Sequence, residues 1–347
     1  MRTIEWMDGT VVTVDQTLLP QKVDFLKLHT CQEVASAIKD MKIRGAPLIG
    51  AAAAYGLALT AFHSQARTSH ELTKQIEESA ELLRKTRPTG ANLFWAVDRV
   101  LKKTRRADGS SVKSVVNAVV DGAQKIADED VQNNRKIGKH GSKLICNSDT
   151  VLTHCNAGSL ATVDYGTALG VIRSAWDQGK KVKVFATETR PRLQGARLTA
   201  YELKRDGIPT TLITDSMVGY VMSKRLVNKV IVGADRIVRD VVVNKIGTYT
   251  IAVLAHEHGV PFYVAAPAST FDLLHTSNDV VVEERSPDEV THFSSELIAP
   301  NGVDALNPAF DVTPMKYVSA IICENGIYTP EDLKKHVTTK HRHKQKV

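Results

Sequence analysis

Val151-Leu152-Thr153-His154-Cys155-Asn156-Ala157-Gly158-Ser159 and Val230-Ile231-Val232-Gly233-Ala234-Asp235-Arg236 share one texture: a short apolar run followed by small and polar residues. Such a run, bounded by turn residues, reads as a strand of a parallel sheet buried on both faces. In open α/β sheets ligands collect beyond the carboxyl ends of the strands, so residues far apart in sequence converge there. A thiol at Cys155 and a carboxylate at Asp235, each just past its strand, suit proton-transfer chemistry on a small molecule.

Outward from these two runs the alternation continues. Further strands are expected at 182–186, 211–213, Phe262–Ala265 and 279–282, beside Thr150–Thr153 and Lys229–Val232. Helical runs lie near 165–178, 192–204, 217–224 and 247–258. Strands alternating with amphipathic helices predict a Rossmann-like, mostly parallel sheet covered on both faces. Upstream, Arg2–Trp6, Asp8-Gly9 and 11–14 read as a hairpin around a tight turn. From Cys31 to about Asp130 the apolar period is helical, as in Val34, Ile38 and Met41 and again in Val115, Val119 and Ile126. The fold class is therefore α/β, with a smaller, mainly helical N-terminal domain carrying a short β element. The domains are drawn at 1–140, at 141–333 for the Rossmann-like catalytic domain, and at 334–347 for a basic flexible tail.

The 347 residues, 43% hydrophobic and 24% charged, suffice for two cores and lie outside disordered or fibrous compositions. The net charge of +7 is a property of the tail: without 334–347 the chain carries 39 basic and 38 acidic residues. A solvated terminus, with no aromatic residues interleaved, explains this better than nucleic-acid binding. Four cysteines without C-x-x-C spacing, and no apolar-cored signal peptide, place the chain in a reducing cytoplasm, with a nuclear fraction left open by the tail. The longest apolar stretch, 46–58, contains Pro47, Gly50 and Gly56 and is too short to span a bilayer, so no membrane segment is expected. No G-x-G-x-x-G follows a strand and no phosphate-loop motif occurs, so no nucleotide cofactor is expected. His256 and His258 are two apart on a helix and point to different faces, so no metal is expected there either.

Three polar segments have ligand-binding character. Arg44-Gly45-Ala46-Pro47 opens an Ala/Gly-rich helix; backbone N–H groups there and the Arg44 guanidinium suit a phosphate, while a tight helix entry with a surface arginine is an equal reading. Arg84, Arg87-Pro88-Thr89-Gly90 and Asn92 precede another helix. Glu188-Thr189-Arg190-Pro191-Arg192-Leu193-Gln194-Gly195 follows the strand ending at Ala186. Together they point to a polar, phosphorylated ligand. Cys155 lies ahead of the 165–178 helix, whose positive end favours thiolate; a buried inert thiol is the competing reading. Asp235 has its own alternative, capping the next turn or pairing with Arg236.

Taken together these segments resemble the methylthioribose-1-phosphate isomerase family, which is related to the regulatory subunits of translation initiation factor 2B. The resemblance runs from Met1-Arg2-Thr3-Ile4-Glu5-Trp6 to about Gly326, through 43–49, 87–95, 153–159, 188–202, 233–236, 244–249 and 284–290. It implies that Asp235 is the catalytic acid/base residue, with Cys155 assisting. It also implies that Arg44, Gly45, Ala46, Arg87, Gln194, Asn244 and Lys245 contact a phosphosugar substrate, and that the protein is a homodimer. The implied reaction converts the aldose 5-methylthioribose 1-phosphate to 5-methylthioribulose 1-phosphate in methionine salvage, without metal or cofactor. Isomerisation of ribose 1,5-bisphosphate or 5-deoxyribose 1-phosphate is the nearest alternative, and a non-catalytic translation-factor-like subunit the more distant one. Two places depart from the family pattern: 238–243 lacks the expected Gly- and Asn-containing turn, and Ala157 stands where Thr is frequent.

Overall fold

The computed structural model describes residues 1–87 and 90–333. The expected tail, 334–347, and residues 88 and 89 of the arginine-rich loop lie outside the described residues. The chain divides into two compact units: Met1–Lys136 with Ala157–Gly170, and Ile137–Asn156 with the chain from Val171 onward. Residues 157–170 are counted with the first unit although they follow a strand of the second.

The first unit opens with antiparallel strands β1 (Ile4–Met7), β2 (Thr10–Val14) and β3 (Phe25–Leu28), the last unrecognised in sequence because it is only four residues long with outward-facing Phe25 and Lys27. Helices α1 (Cys31–Lys39), α2 (Ala46–His63), α3 (Ser69–Arg84), α4 (Ala91–Ala107) and α5 (Val112–Gly141) follow, α5 running on into the second unit. Thr30 and Glu33 close a capping box that fixes the start of α1. Helix α2 is apolar all round because α1, α3 and α4 pack on it. At 18 residues it has the length and composition of a membrane span, longer than the stretch read from sequence, yet 72% of it is buried within the fold. Gly50 lets α2 approach α4: a Cβ there would lie 2.8 Å from the Asn92 carbonyl oxygen.

The second unit is built on β4 (Thr150–Thr153), α6 (Ala168–Asp177, beginning in the first unit), β5 (Lys183–Thr187), α7 (Ala200–Arg205), β6 (Thr210–Ile213), α8 (Val218–Ser223), β7 (Lys229–Val232), β8 (Arg236–Ile237), β9 (Val241–Lys245), α9 (Thr248–Glu257), β10 (Phe262–Ala265), α10 (Asp288–Thr291), β11 (His292–Phe293), β12 (Glu296–Leu297), β13 (Phe310–Pro314), β14 (Ala320–Cys323) and β15 (Gly326–Tyr328). Its main sheet has the order β15-β14-β10-β7-β4-β5-β6, parallel throughout except for β15. The chain starts in the middle at β4, moves outward through β5 and β6, then returns to lay β7 on the other side of β4. That is the doubly wound order, and its switch point lies between β4 and β7.

Two expectations need correction. Residues 279–282 form no strand: a short 3₁₀ turn (Ser277–Asp279) leads into Val280 and Val282, which pack on Val243, Ala309 and Phe310 as side chains without joining a ladder. Alternating valines satisfied a packing surface rather than a sheet. The 165–178 helix begins only at Ala168, so a 3₁₀ turn (Ser159–Ala161) and an irregular segment separate Cys155 from it.

Candidate active site

Strands β4 and β7 lie side by side, with Leu152 opposite Val230, and the Thr153 hydroxyl donates to the Ile231 carbonyl at 2.8 Å. Cys155 and Asp235 therefore leave the sheet from neighbouring strands on either side of the switch point.

Cys155 is buried and has a left-handed backbone, φ 62°. Such a conformation is costly for a side-chain-bearing residue and persists only where its surroundings enforce it. Both of its peptide groups are held: the N–H donates to Thr189 Oγ1 at 2.8 Å, and the carbonyl accepts from Thr199 Oγ1 at 2.6 Å. Next to it the Asn156 amide donates to Glu202 at 2.9 Å, and Glu202, fully buried, pairs with Arg173 at 2.6 Å. Breaking a buried pair of this kind strands a charge, which makes the floor of the site rigid.

Asp235 is half-buried, and its N–H donates to the Val243 carbonyl at 3.0 Å. It thus opens the β8–β9 hairpin, whose turn is closed by Val238 N–H on the Val241 carbonyl. The atypical Val241-Val242-Val243 run is the middle strand of the sheet β13-β9-β8, as β-branched residues favour. That strand ends in buried Asn244 and Lys245. Asn244 donates to the Thr248 hydroxyl at 3.0 Å; Lys245 Nζ donates to the Ala309 carbonyl at 2.8 Å and sits 4.9 Å over the Phe310 ring.

Opposite Asn244 on β13 is Asp311, which sequence reading missed. Its Oδ2 accepts the Gly247 and Tyr249 N–H groups at 2.7 and 3.0 Å, while Oδ1 is buried without a donor from the chain. Burial pushes this carboxyl up to about 6, against the opposing pull of those N–H groups and of Lys245. Gln194 is also buried, with Oε1 lacking a donor from the chain. It immediately precedes a single π-helical turn, Gly195–Thr199, a form frequent at functional sites. Just upstream, Arg192 is anchored by Glu289 at 2.6 Å, and Glu289 also takes the Asn307 amide at 3.1 Å.

In the first unit, Gly45 precedes α2 with φ 104°, and a Cβ on it would lie 2.4 Å from the Ala161 Cα. Only glycine fits. Ala46 is the first helical residue and Pro47 the second, so the early N–H groups of the helix lie beside buried Arg44. Arg87, just beyond α3, places Nη1 3.6 Å from Met41 Sδ, which ties it to the loop carrying Arg44. His154, Thr187 and Thr189, which sequence reading did not single out, hydrogen-bond to one another at the ends of β4 and β5.

A parallel sheet of doubly wound order, with a thiol and a carboxylate beyond the strands at its switch point, defines the class: an α/β fold with polar side chains at its ligand edge. The sequence model of the initiation factor 2 subunit family matches residues 42–330, and the chain belongs to that family. Its relatives include the methylthioribose-1-phosphate isomerase of Carboxydothermus hydrogenoformans, 53% identical over 96% of this chain and 98% of that protein. The isomerase of that name from Thermosipho africanus is 52% identical over 96% and 97%. Among solved structures, the 5-methylthioribose 1-phosphate isomerase of Pyrococcus horikoshii superposes with a TM-score of 0.90 at 45% identity, covering 97% of this chain and 96% of that one. A structure described as translation initiation factor eIF-2B subunit delta from A. fulgidus superposes at 0.85 with 50% identity, covering 96% and 99%.

Proposed function

We propose that the protein is an aldose–ketose isomerase that converts 5-methylthioribose 1-phosphate to 5-methylthioribulose 1-phosphate in methionine salvage. The observation that carries the chemistry is the emergence of Cys155 and Asp235 from adjacent strands at the switch point. Near-complete coverage of relatives bearing that name supports the substrate.

The C1 phosphate makes the sugar a locked acetal, so ring opening needs an acid. Asp235 protonates the ring oxygen as the C1–O bond breaks. Cys155 removes the C2 proton, and the electron pair forms a C1=C2 enol phosphate. Asp235 then reclaims the proton of the C2 hydroxyl as the carbonyl forms, and Cys155, its thiol proton exchanged with water while the enol lives, protonates C1. Two protons leave and two return, so the reaction is a net isomerisation. Among the residues proposed to contact substrate, the Lys245 ammonium suits the developing negative charge, while the Arg44 and Arg87 guanidinium groups and the backbone N–H groups of Gly45 and Ala46 suit a phosphate. Gln194 and Asn244 bind sugar hydroxyls; the donor-less Gln194 Oε1 supports that role.

Purified protein should turn over the methylthio sugar with a kcat/KM well above that for ribose 1,5-bisphosphate or 5-deoxyribose 1-phosphate. No ketose from any of the three would move the weight to a non-catalytic assembly subunit. We further propose a homodimer, supported by exposed Leu212 on edge strand β6 and by nearby Met217, Tyr220 and Leu226. Four cysteines outside any disulfide, one of them needed as a thiol, support a cytoplasmic location.

A further inference from the structure

Five groups at the ends of β4 and β5 and before α9 form a chain of hydrogen bonds, with one side branch from Thr189 Oγ1 to the Thr187 carbonyl at 3.3 Å. The Cys155 N–H donates to Thr189 Oγ1 at 2.8 Å, and the Thr189 and Thr187 hydroxyls are 3.0 Å apart. Thr187 Oγ1 is 2.6 Å from His154 Nδ1, and His154 Nε2 is 2.8 Å from the Ile246 carbonyl. The acceptor at the far end fixes every proton. A carbonyl only accepts, so His154 carries its hydrogen on Nε2 and accepts at Nδ1; Thr187 therefore donates to His154, and Thr189 donates to Thr187. All of the donors point one way, from the peptide of Cys155 to the loop after Lys245. The side chains are sealed: Thr187 and Thr189 are 0% exposed and His154 2%. Burial also holds the imidazole below its ordinary range, so it stays neutral and keeps this tautomer.

Two close approaches show that the chain has little freedom. A Cβ on Gly195 would lie 1.8 Å from the Thr187 carbonyl oxygen, and one on Gly247, φ 101°, would lie 3.0 Å from the His154 ring. Thr189 itself, like Cys155, has a left-handed backbone, φ 63°, and its N–H and that of Arg190 are held by Asp215 at 2.8 and 2.7 Å.

We infer that Thr189, Thr187 and His154 are positioning residues that hold Cys155 in its left-handed conformation and lock it to the turn bearing Asn244 and Lys245. The kinetic part of this inference rests on the proposed role of Cys155; the geometric part does not. The relay acts through the Cys155 backbone and touches no substrate.

The test replaces Thr187, whose hydroxyl is joined to the Cys155 peptide through Thr189. Thr187→Val keeps the shape and removes the hydroxyl; Thr187→Ser restores it. For turnover of 5-methylthioribose 1-phosphate, a misaimed thiol lowers kcat in the valine variant on the order of 10- to 100-fold with KM within about threefold. The serine variant recovers most of the loss. In parallel, carbamidomethylation of Cys155 by iodoacetamide, followed by peptide mass, shifts about fivefold or more in Thr187→Val and returns toward wild type in Thr187→Ser. Thr187→Ala replaces the valine variant if that fails to fold. A folded variant without the hydroxyl whose Cys155 is alkylated at the wild-type rate overturns the inference. If the wild type itself makes no ketose, the isomerase reading falls and the alkylation result alone decides the relay.

Discussion

Asp235→Asn keeps the size of the side chain and removes the acid, so kcat should fall on the order of 10²–10⁴-fold with the melting temperature little changed. Asp311 makes a prediction of opposite kind, because it acts on stability. Its carboxyl is raised from 3.8 to about 6, so the folded state binds this proton more tightly than the unfolded chain. The stabilisation is fully present below about pH 4 and is lost as pH rises through 6. Relative to Asp311→Asn, wild type should therefore gain up to about 3 kcal/mol between pH 7.5 and 4, read from urea unfolding at each pH. A constant difference across that range would refute the assignment. The placement of Cys155 and Asp235 just beyond β4 and β7 was legible in sequence because each follows an apolar run at a turn. Asp311 was not: its partners at Gly247 and Tyr249 are 64 and 62 residues away, and only the β9–β13 pairing brings them together.

Among the elements, the π-helical turn Gly195–Thr199 joins Gln194 to the Thr199 hydroxyl that holds the Cys155 carbonyl. Gly195→Ala would drive a methyl group into the Thr187 backbone, so the turn must shift. The expected result is a loss of roughly 1–3 kcal/mol in stability, with kcat reduced more than KM is raised. An alanine variant with unchanged melting and kinetics would show that the turn yields freely. The entry to α2 behaves alike: Gly45→Ala meets the Ala161 backbone and also forces φ 104° on an alanine, and should cost comparable stability. Sequence located most strands of the parallel sheet within a residue or two, since runs buried on both faces are apolar at every position. It missed β3, β8, β9 and every strand after β10. The Phe310–Pro314 strand ends in proline and is partly exposed, and Ala320–Cys323 lies after a long irregular segment in which 279–282 mimicked a strand.

Across the whole chain, the order of strands matters more than any one of them, because it puts β4 beside β7 although 75 residues and two further strands intervene. Alternating texture revealed that the sheet is parallel; it held no information on which strands are neighbours. Membership of the initiation factor 2 subunit family leaves two kinds of relative, some named as isomerases and others as translation-factor subunits. The proposed homodimer predicts a light-scattering mass of about twice the 38.0 kDa of one chain, which Tyr220→Lys with Leu212→Lys should shift toward one. Chemistry separates the two kinds of relative. The most direct test is the NMR spectrum of product formed from 5-methylthioribose 1-phosphate in D₂O. Proton transfer through Cys155 and Asp235 predicts 5-methylthioribulose 1-phosphate carrying deuterium at C1, absent when Cys155→Ser replaces the wild type. Ketose free of deuterium despite full turnover, or no ketose at all, would contradict it.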